Sequence, residues 1–411
     1  MTEAYLRGRQ AALVAGLLFL STLMGYVARS SISVALPYIS EDYGWSQSEQ
    51  GYLGGLLLGI FLIGYGLSNI FLSPLIDRFG PRRMLTAAIV VWSIITFFTG
   101  LLGLIFGAFL FLRFILGISQ GTLFPSASKE TKLRFAPGLR SRVNGLYMSS
   151  MYISNLVIGA AVLPLIAFTD WRITLYIVSA LGLLLAVPVW FFVKDDGKQD
   201  APKSMKEAYS EIGTGLKESS RIKGFWRLTV ADTAMNLAWW GLSLWLPTYL
   251  IEAKGFSTEE LVWALPMIYI GGFFGIFLGS MLSDRVGRRS LITAVFSLTG
   301  AAFLGLLVMA QDLSLVVFAG FATLFCISLL PANAYTLLQG IVPARLTGSA
   351  TGLLNGVSNG VGVLGPVLIG ASLALTASYD VGIAVVAGAQ IVAAFAIYSF
   401  RRLEKGEASV G

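Results

Sequence analysis

Residues 11–37, "AALVAGLLFLSTLMGYVARSSISVALP", form a long, predominantly apolar run with one arginine inside it. A helix needs about 20 such residues to cross a hydrocarbon core, and the run supplies them. A charge near the middle of a span costs about 3 kcal/mol on insertion scales, so Arg29 needs a reason to be there. The run is too long for a signal-peptide core. No small-residue cleavage site followed by a soluble domain comes after it. It is expected to remain as the first membrane helix.

The rest of the chain repeats the pattern. Its 411 residues are 56% hydrophobic and 12% charged, with a mean hydropathy of +0.76, whereas soluble domains are about one quarter charged. Apolar blocks fall at approximately 12–38, 49–74, 84–104, 106–127, 142–168, 172–193, 225–250, 260–282, 290–310, 314–337, 348–372 and 377–400. Short alternating segments of a membrane barrel are missing from the sequence. The reading is an all-α membrane protein with twelve transmembrane helices. Residues 194–224, "KDDGKQDAPKSMKEAYSEIGTGLKESSRIKG", are the one long polar segment, with six blocks on either side. This predicts a six-helix bundle over 1–193, a cytoplasmic linker over 194–224 with a short helix around "SMKEAYSEIGTGLKE", and a second six-helix bundle over 225–411. The two halves also resemble each other: "LPYISEDYGWSQSEQGYLGG" leads to "DRFGPRR", and "LPTYLIEAKGFSTEELVWAL" leads to "DRVGRR". Pro37 precedes Asp77 by 40 residues and Pro247 precedes Asp284 by 37. A duplicated unit with pseudo-two-fold symmetry and a site at the repeat interface is a common transporter plan.

The charges set the topology. Of 29 Lys and Arg, Arg29 and Arg113 lie within blocks and Arg172 and Lys254 fall on one side, which leaves 25 on the other. By the positive-inside rule both termini are cytoplasmic in a multi-pass cell (inner or plasma) membrane. The net charge of +7 is thus a topology signal, and no nucleic-acid partner is expected. Cys326 is the one cysteine and there is no histidine, so no intrachain disulfide can form. With no nucleophile motif or metal-ligand cluster, no enzyme, cofactor or metal site is expected.

Arg29 and Arg113 are the most informative residues. Arg29 sits about nine residues before the outer end of the first block and Arg113 about seven past the outer end of the fourth, each roughly 10–14 Å deep. No glutamate lies at that depth in any block. A guanidinium is a planar fork that matches a carboxylate or phosphate bidentately. Both arginines are expected to face a central aqueous cavity and bind a small organic anion. The competing reading has them snorkelling or bracing helices through backbone carbonyls. Tyr26 lies three residues before Arg29, and Gln120 lies seven after Arg113, two turns along the same face. Tyr65, Tyr147, Tyr335, Asn355 and Asn359 are further intramembrane donors, each equally suited to a helix–helix hydrogen bond. Asp232, near the cytoplasmic start of the seventh block and away from the arginine layer, is the candidate for proton coupling; a structural helix-end role is its alternative. Trp239, Trp240, Trp245, Trp263, Tyr269 and Tyr335 suggest that the second half selects the body of the substrate. Packing and the interfacial belt explain the same residues.

The loops "DRFGPRR" and "DRVGRR" resemble the signature loop of the major facilitator superfamily, although its usual first glycine is Ser73 in one copy and Ser280 in the other. The resemblance implies that Asp77, Arg78, Asp284 and Arg285 serve the conformational switch. Within that superfamily "YVARSSISVA", "LRFILGISQG" and "GLLNGVSNG" resemble the anion:cation symporter family, which includes sugar-acid, vesicular glutamate and sialic acid carriers. That resemblance implies that Arg29 and Arg113 bind the anion and that Tyr65, Tyr335 and Asn355 line its cavity. Two positions depart from the family pattern: Ala28 and Gln120 stand where carboxylates that carry protons are usual. "ALPYISEDYGWSQSEQGYLGG", "GYGLSN" and "TDWRITLYI" are also similar to organophosphate:phosphate antiporters. Those place a second arginine in the seventh helix, where the Pro37/Pro247 alignment puts Trp239.

Inward movement of an anion against a negative interior costs about 2.3 kcal/mol per 100 mV. Exchange for another anion, proton co-transport through Asp232, or downhill flow would each meet that cost. With both family carboxylates replaced, exchange or facilitated movement by a monomeric carrier in the bilayer is the expectation. Protons or a counter-transported anion are the co-substrates to test. The alternatives are a phosphate-type antiporter, a metabolite or drug exporter, and a membrane sensor. An exporter's Gly-Pro pair is not in the fifth block; it occurs in the eleventh, "GVGVLGPVLIG".

Overall fold

The computed structural model describes residues 5–72, 75–76, 79–194, 205–343 and 346–407, and all regular structure among them is helical. The first six long helices are α1 (Gly8–Tyr43), α2 (Gln47–Phe71), α3 (Pro81–Leu102), α4 (Phe106–Arg134), α5 (Arg142–Phe168) and α6 (Trp171–Phe192). The polar segment carries α7 (Met205–Ser220). Then follow α8 (Phe225–Glu252), α9 (Thr258–Val286), α10 (Arg289–Met309), α11 (Leu313–Ile341), α12 (Ser349–Thr376) and α13 (Asp380–Glu404).

Eleven of these helices are long and apolar enough to cross a membrane, and the long helix outside that set is α8. It has the length, at 28 residues, but it carries Arg227, Asp232, Asn236 and Glu252. The reason lies in its surroundings. Every residue from Ala238 to Leu250 is buried, so protein rather than lipid surrounds that stretch and polar groups are tolerated there. Its repeat mate α1 is alike: every residue from Gly25 to Leu36 is buried. By contrast, α6 and α10 bury only a third of their apolar windows and face outward.

The duplicated halves agree in local detail. Gly44 and Gly255 both adopt positive φ, 63° and 69°, the left-handed conformation that ends a helix at low steric cost. Two residues later Ser46 and Ser257 each form a capping box, with Glu49 and Glu260, which satisfies the first free amides of α2 and α9. Pro37 lies inside α1 rather than at its end. The helix therefore runs on to Tyr43, and Arg29 sits 14 residues from that terminus, deeper than the sequence reading placed it.

Besides α1 against α8, two helix pairs join the halves. Along α2 and α12 small residues meet. A Cβ added to Gly370 would lie 2.1 Å from the Gly51 oxygen, and one added to Gly66 would lie 3.0 Å from the Gly356 oxygen. Between them Gly55 abuts Pro366 and Gly59 abuts Val363. Backbones this close need glycine at the crossing. The second pair is α5 and α9, where Gly159 abuts Pro266 and Gly272 abuts the Tyr152 ring. Both α2 and α5 contain a π-helical turn at this interface, Gln50–Gly54 and Ile158–Val162. Such turns shift the register of a helix face and often mark functional segments. At the end of α2 near Gln50, Gln50 donates to Glu252 at 2.6 Å and Tyr379 donates to the same carboxylate at 2.7 Å. Asp77 and Arg78 lie outside the described residues, as does the side chain of Asp284. Arg285 is exposed in the last turn of α9.

Candidate functional site

Arg29 is buried at 2% exposure in the middle of α1. Its Nε donates to Gln120 Oε1 at 2.9 Å, and Gln120 Nε2 in turn donates to the Gly25 carbonyl at 3.0 Å. The guanidinium carbon lies 4.2 Å from the Tyr26 ring centroid and 4.8 Å from those of Phe61 and Tyr65. Aromatic faces at this range attract a cation. The two terminal nitrogens, Nη1 and Nη2, are buried with no hydrogen-bond partner among the described residues. A buried guanidinium left with its fork free is costly unless something else fills it.

Arg29 is one of the residues lining a cavity of about 140 Å³ between the two sets of helices. The first half contributes Tyr26 and Arg29 from α1, Tyr65 from α2, and Met151 and Tyr152 from α5. From α8 come Asp232, Met235, Asn236, Trp239 and Trp240. The remaining wall is Ser328, Pro331 and Tyr335 of α11 with Asn355 and Asn359 of α12. Asp232 Oδ2 accepts from Asn236 Nδ2 at 3.2 Å. A chain of amides crosses between the halves here. Trp240 donates to Asn359 at 3.1 Å, Asn359 to Asn355 at 2.6 Å, Asn355 to Asn69 at 3.4 Å, and Asn69 to the Tyr65 carbonyl at 2.8 Å.

Several sequence expectations need correction. Arg113 does not line the cavity. It is 1% exposed and donates to the carbonyls of Arg29 at 3.0 Å and Leu57 at 3.3 Å. It therefore braces α1 and α2, which is the competing reading for such a residue. Gln120 also lies outside the wall, because its amide is committed to Arg29 and Gly25. Tyr147 lies outside it too: its ring packs on Phe124, 5.8 Å between centroids. Asp232 was expected away from the arginine layer but shares the cavity wall with Arg29. Of the aromatic set, Trp239, Trp240 and Tyr335 line the cavity. Trp245 instead donates to the Pro366 carbonyl, Tyr269 donates to Ser243, and Trp263 is exposed. The sequence reading missed Tyr152, Asn236 and Ser328. Asn236 was within reach, since it lies one helical turn after Asp232 on the same face. Tyr152 and Ser328 had no spacing signal.

The sequence profile of the Major Facilitator Superfamily matches residues 18–366 and 262–409. The chain belongs to the major facilitator superfamily. Among curated members it is similar to a hexuronate transporter of Bacillus subtilis (strain 168), 27% identical over 403 residues, which cover 94% of this chain and 93% of that one. It is also similar to a probable sulfoacetate transporter of Cupriavidus necator, 27% identical over 387 residues, covering 90% and 88%. Among solved structures, a bacterial homologue of the human lysosomal transporter Spinster, in an inward-facing conformation, superposes with a TM-score of 0.72 at 17% identity over 98% of each chain. That likeness establishes the major facilitator fold.

The Gln120 clamp has a testable consequence. Gln120→Glu places a carboxylate at the atom that now accepts from Arg29 Nε. Once ionised it competes with any anion for the guanidinium. Counterflow by this variant is expected to fall about tenfold or more as pH rises from 5.5 to 8, because a close, buried charge pair is worth several kcal/mol. The wild-type protein lacks that titratable partner, and its pH profile over the same range, measured alongside, is the reference.

Proposed function

We propose that this protein carries a small organic anion across the cell membrane by alternating access, with Arg29 as the anion contact. The carrying observation is Arg29: a cavity-lining residue whose two terminal nitrogens are buried without a hydrogen-bond partner among the described residues. Among the described residues neither Arg29 nor Arg113 has a carboxylate partner, so the compensating negative charge is left for a passenger to bring. The superfamily relatives support the same class, being named for a hexuronate and for sulfoacetate. Arg113 contributes positive field and holds the backbone of Arg29 in place. Tyr26, Tyr65 and Tyr335 line the anion's side chamber, and Trp239, Asn355 and Asn359 meet the rest of the molecule.

In this reading the chain spans the membrane twelve times, α8 included, with both termini cytoplasmic. Bundles 1–193 and 225–411, joined by the 194–224 linker, rock about the cavity. The glycine-lined contact of α2 with α12 and the amide chain through Asn355 are surfaces that separate and rejoin during that motion. Asp77, Arg78, Asp284 and Arg285 belong to the cytoplasmic loops that couple it. Exchange or facilitated movement is the transport mode, since Ala28 and Gln120 leave the arginine without an adjoining proton carrier; Asp232 is the remaining candidate for one. Counterflow in proteoliposomes loaded with carboxylates, sulfonates and phosphate esters, with and without a pH gradient, tests this. Gradient-independent exchange of a carboxylate or sulfonate supports it, and failure to exchange any anion overturns it.

A further inference from the structure

Resting on the reading of Arg29 as the anion contact, we infer that the cavity selects a short organic monoanion with a hydrogen-bond donor at its far end. It discriminates against both six-carbon sugar acids and dianions. Three observations carry this: the volume, the distribution of charge, and the chemistry of the opposite wall.

The cavity measures about 140 Å³. A buried cavity of about 150 Å³ accommodates benzene, a molecule of about six non-hydrogen atoms. A short hydroxy acid such as lactate or glycerate has about that many atoms and matches the volume, whereas a hexuronate has about twice as many. The walls that would have to yield are large rings packed on one another. Tyr152 and Trp239 meet edge to face at 5.9 Å between centroids, and both are buried. The wall carries two charged side chains, Arg29 from α1 and Asp232 from α8.

Those two side chains differ in sign. Arg29 is the one cation in the described wall and Asp232 the one acid. A monoanion with its charge on the Arg29 fork presents its other end to Asp232, Asn236 and the asparagines of α12. These groups accept from a hydroxyl, and Asp232, when ionised, repels a second carboxylate. A dianion of similar size would bring its second charge against Asp232 with no cation to receive it, because Arg113 is committed to the carbonyls of Arg29 and Leu57. Asp232 is thereby a specificity-determining residue as well as a wall residue.

The test is counterflow in proteoliposomes at equal pH on both sides, so that no proton gradient contributes, with L-lactate, D-glycerate, succinate and D-glucuronate as the probes. Wild-type protein is expected to exchange lactate or glycerate at least tenfold faster than succinate or glucuronate. Asp232→Asn is expected to raise the succinate-to-lactate ratio at least fivefold, and Trp239→Ala to raise the glucuronate-to-lactate ratio. Thermal unfolding in detergent verifies that each variant is folded. Glucuronate or succinate exchanged by wild type as fast as lactate, and lost in Arg29→Ala, overturns the selectivity and leaves the anion carrier intact. An unchanged succinate ratio in Asp232→Asn overturns the part given to Asp232. If no probe shows Arg29-dependent exchange, the anion reading itself fails.

Discussion

Replacing Arg29 with alanine is expected to lower anion counterflow by about 30-fold or more while leaving the helices folded. Losing one member of a buried, hydrogen-bonded charge pair costs about 2–5 kcal/mol, and tenfold corresponds to about 1.4 kcal/mol. In the unloaded protein the Arg29 fork has no partner to lose, so truncation relieves a desolvated charge rather than creating one. The Nε bond to Gln120 and the guanidinium's contacts with the Tyr26, Phe61 and Tyr65 rings disappear from the fold. Arg29→Lys separates charge from shape: it keeps the cation, loses the bidentate fork, and is expected to retain an intermediate rate. Arg113→Ala should behave differently. Its donors reach two backbone carbonyls of neighbouring helices, and losing these buried bonds from a charged group is expected to destabilise the fold by about 1.5–3 kcal/mol each. Thermal unfolding and counterflow measured on the same preparations distinguish the two. Wild-type exchange by Arg29→Ala would remove the basis for the proposed function.

Gly370→Val is expected to stop transport while preserving binding. A Cβ at this position would lie 2.1 Å from the Gly51 oxygen and 3.0 Å from the Gly55 Cα, and backbone cannot yield as a flexible side chain can. Valine therefore holds α2 and α12 apart at the end where Gln50 and Tyr379 meet Glu252. In the proposed orientation this is the extracellular end. A carrier that cannot close there cannot present its cargo to the other side, and counterflow is expected to fall about 100-fold, corresponding to roughly 3 kcal/mol against the closed state. Cysteine labelling reads the state directly. Cys326 is the single native cysteine and is buried, so a cysteine introduced at Gln50 is the reactive one. Its labelling from outside should rise in the valine background. Unchanged labelling with unchanged transport would show that this contact need not form in the cycle.

The apolar blocks, the duplication and the side preference of Lys and Arg were legible in the chain because each follows from local composition. A residue facing lipid must be apolar whatever its neighbours, and that requirement is written one position at a time. For the same reason α8 falls outside the set of helices apolar enough to cross a membrane: protein surrounds it, and burial in protein relaxes the demand. Arg29 stood out because a charge in an apolar run has few explanations.

What the residue string could not supply was which buried polar groups meet. Arg29 and Arg113 looked equivalent in sequence, both charges at similar depth. Only packing leaves one fork without a partner among the described residues, on a cavity-lining residue, and commits the other to carbonyls of α1 and α2. Asp232 was assigned a separate layer by counting residues along one helix, whereas α1 runs on past Pro37 to Tyr43, sets Arg29 deeper, and lines one cavity with α8. Helical periodicity determines which face a residue lies on, and the approach of other helices, permitted by glycines such as Gly51 and Gly370, determines what that face touches. Composition and periodicity therefore determined a twelve-block helical membrane chain in two related halves. The cavity, its single free cation among the described wall residues and the acid opposite it were decided by tertiary packing.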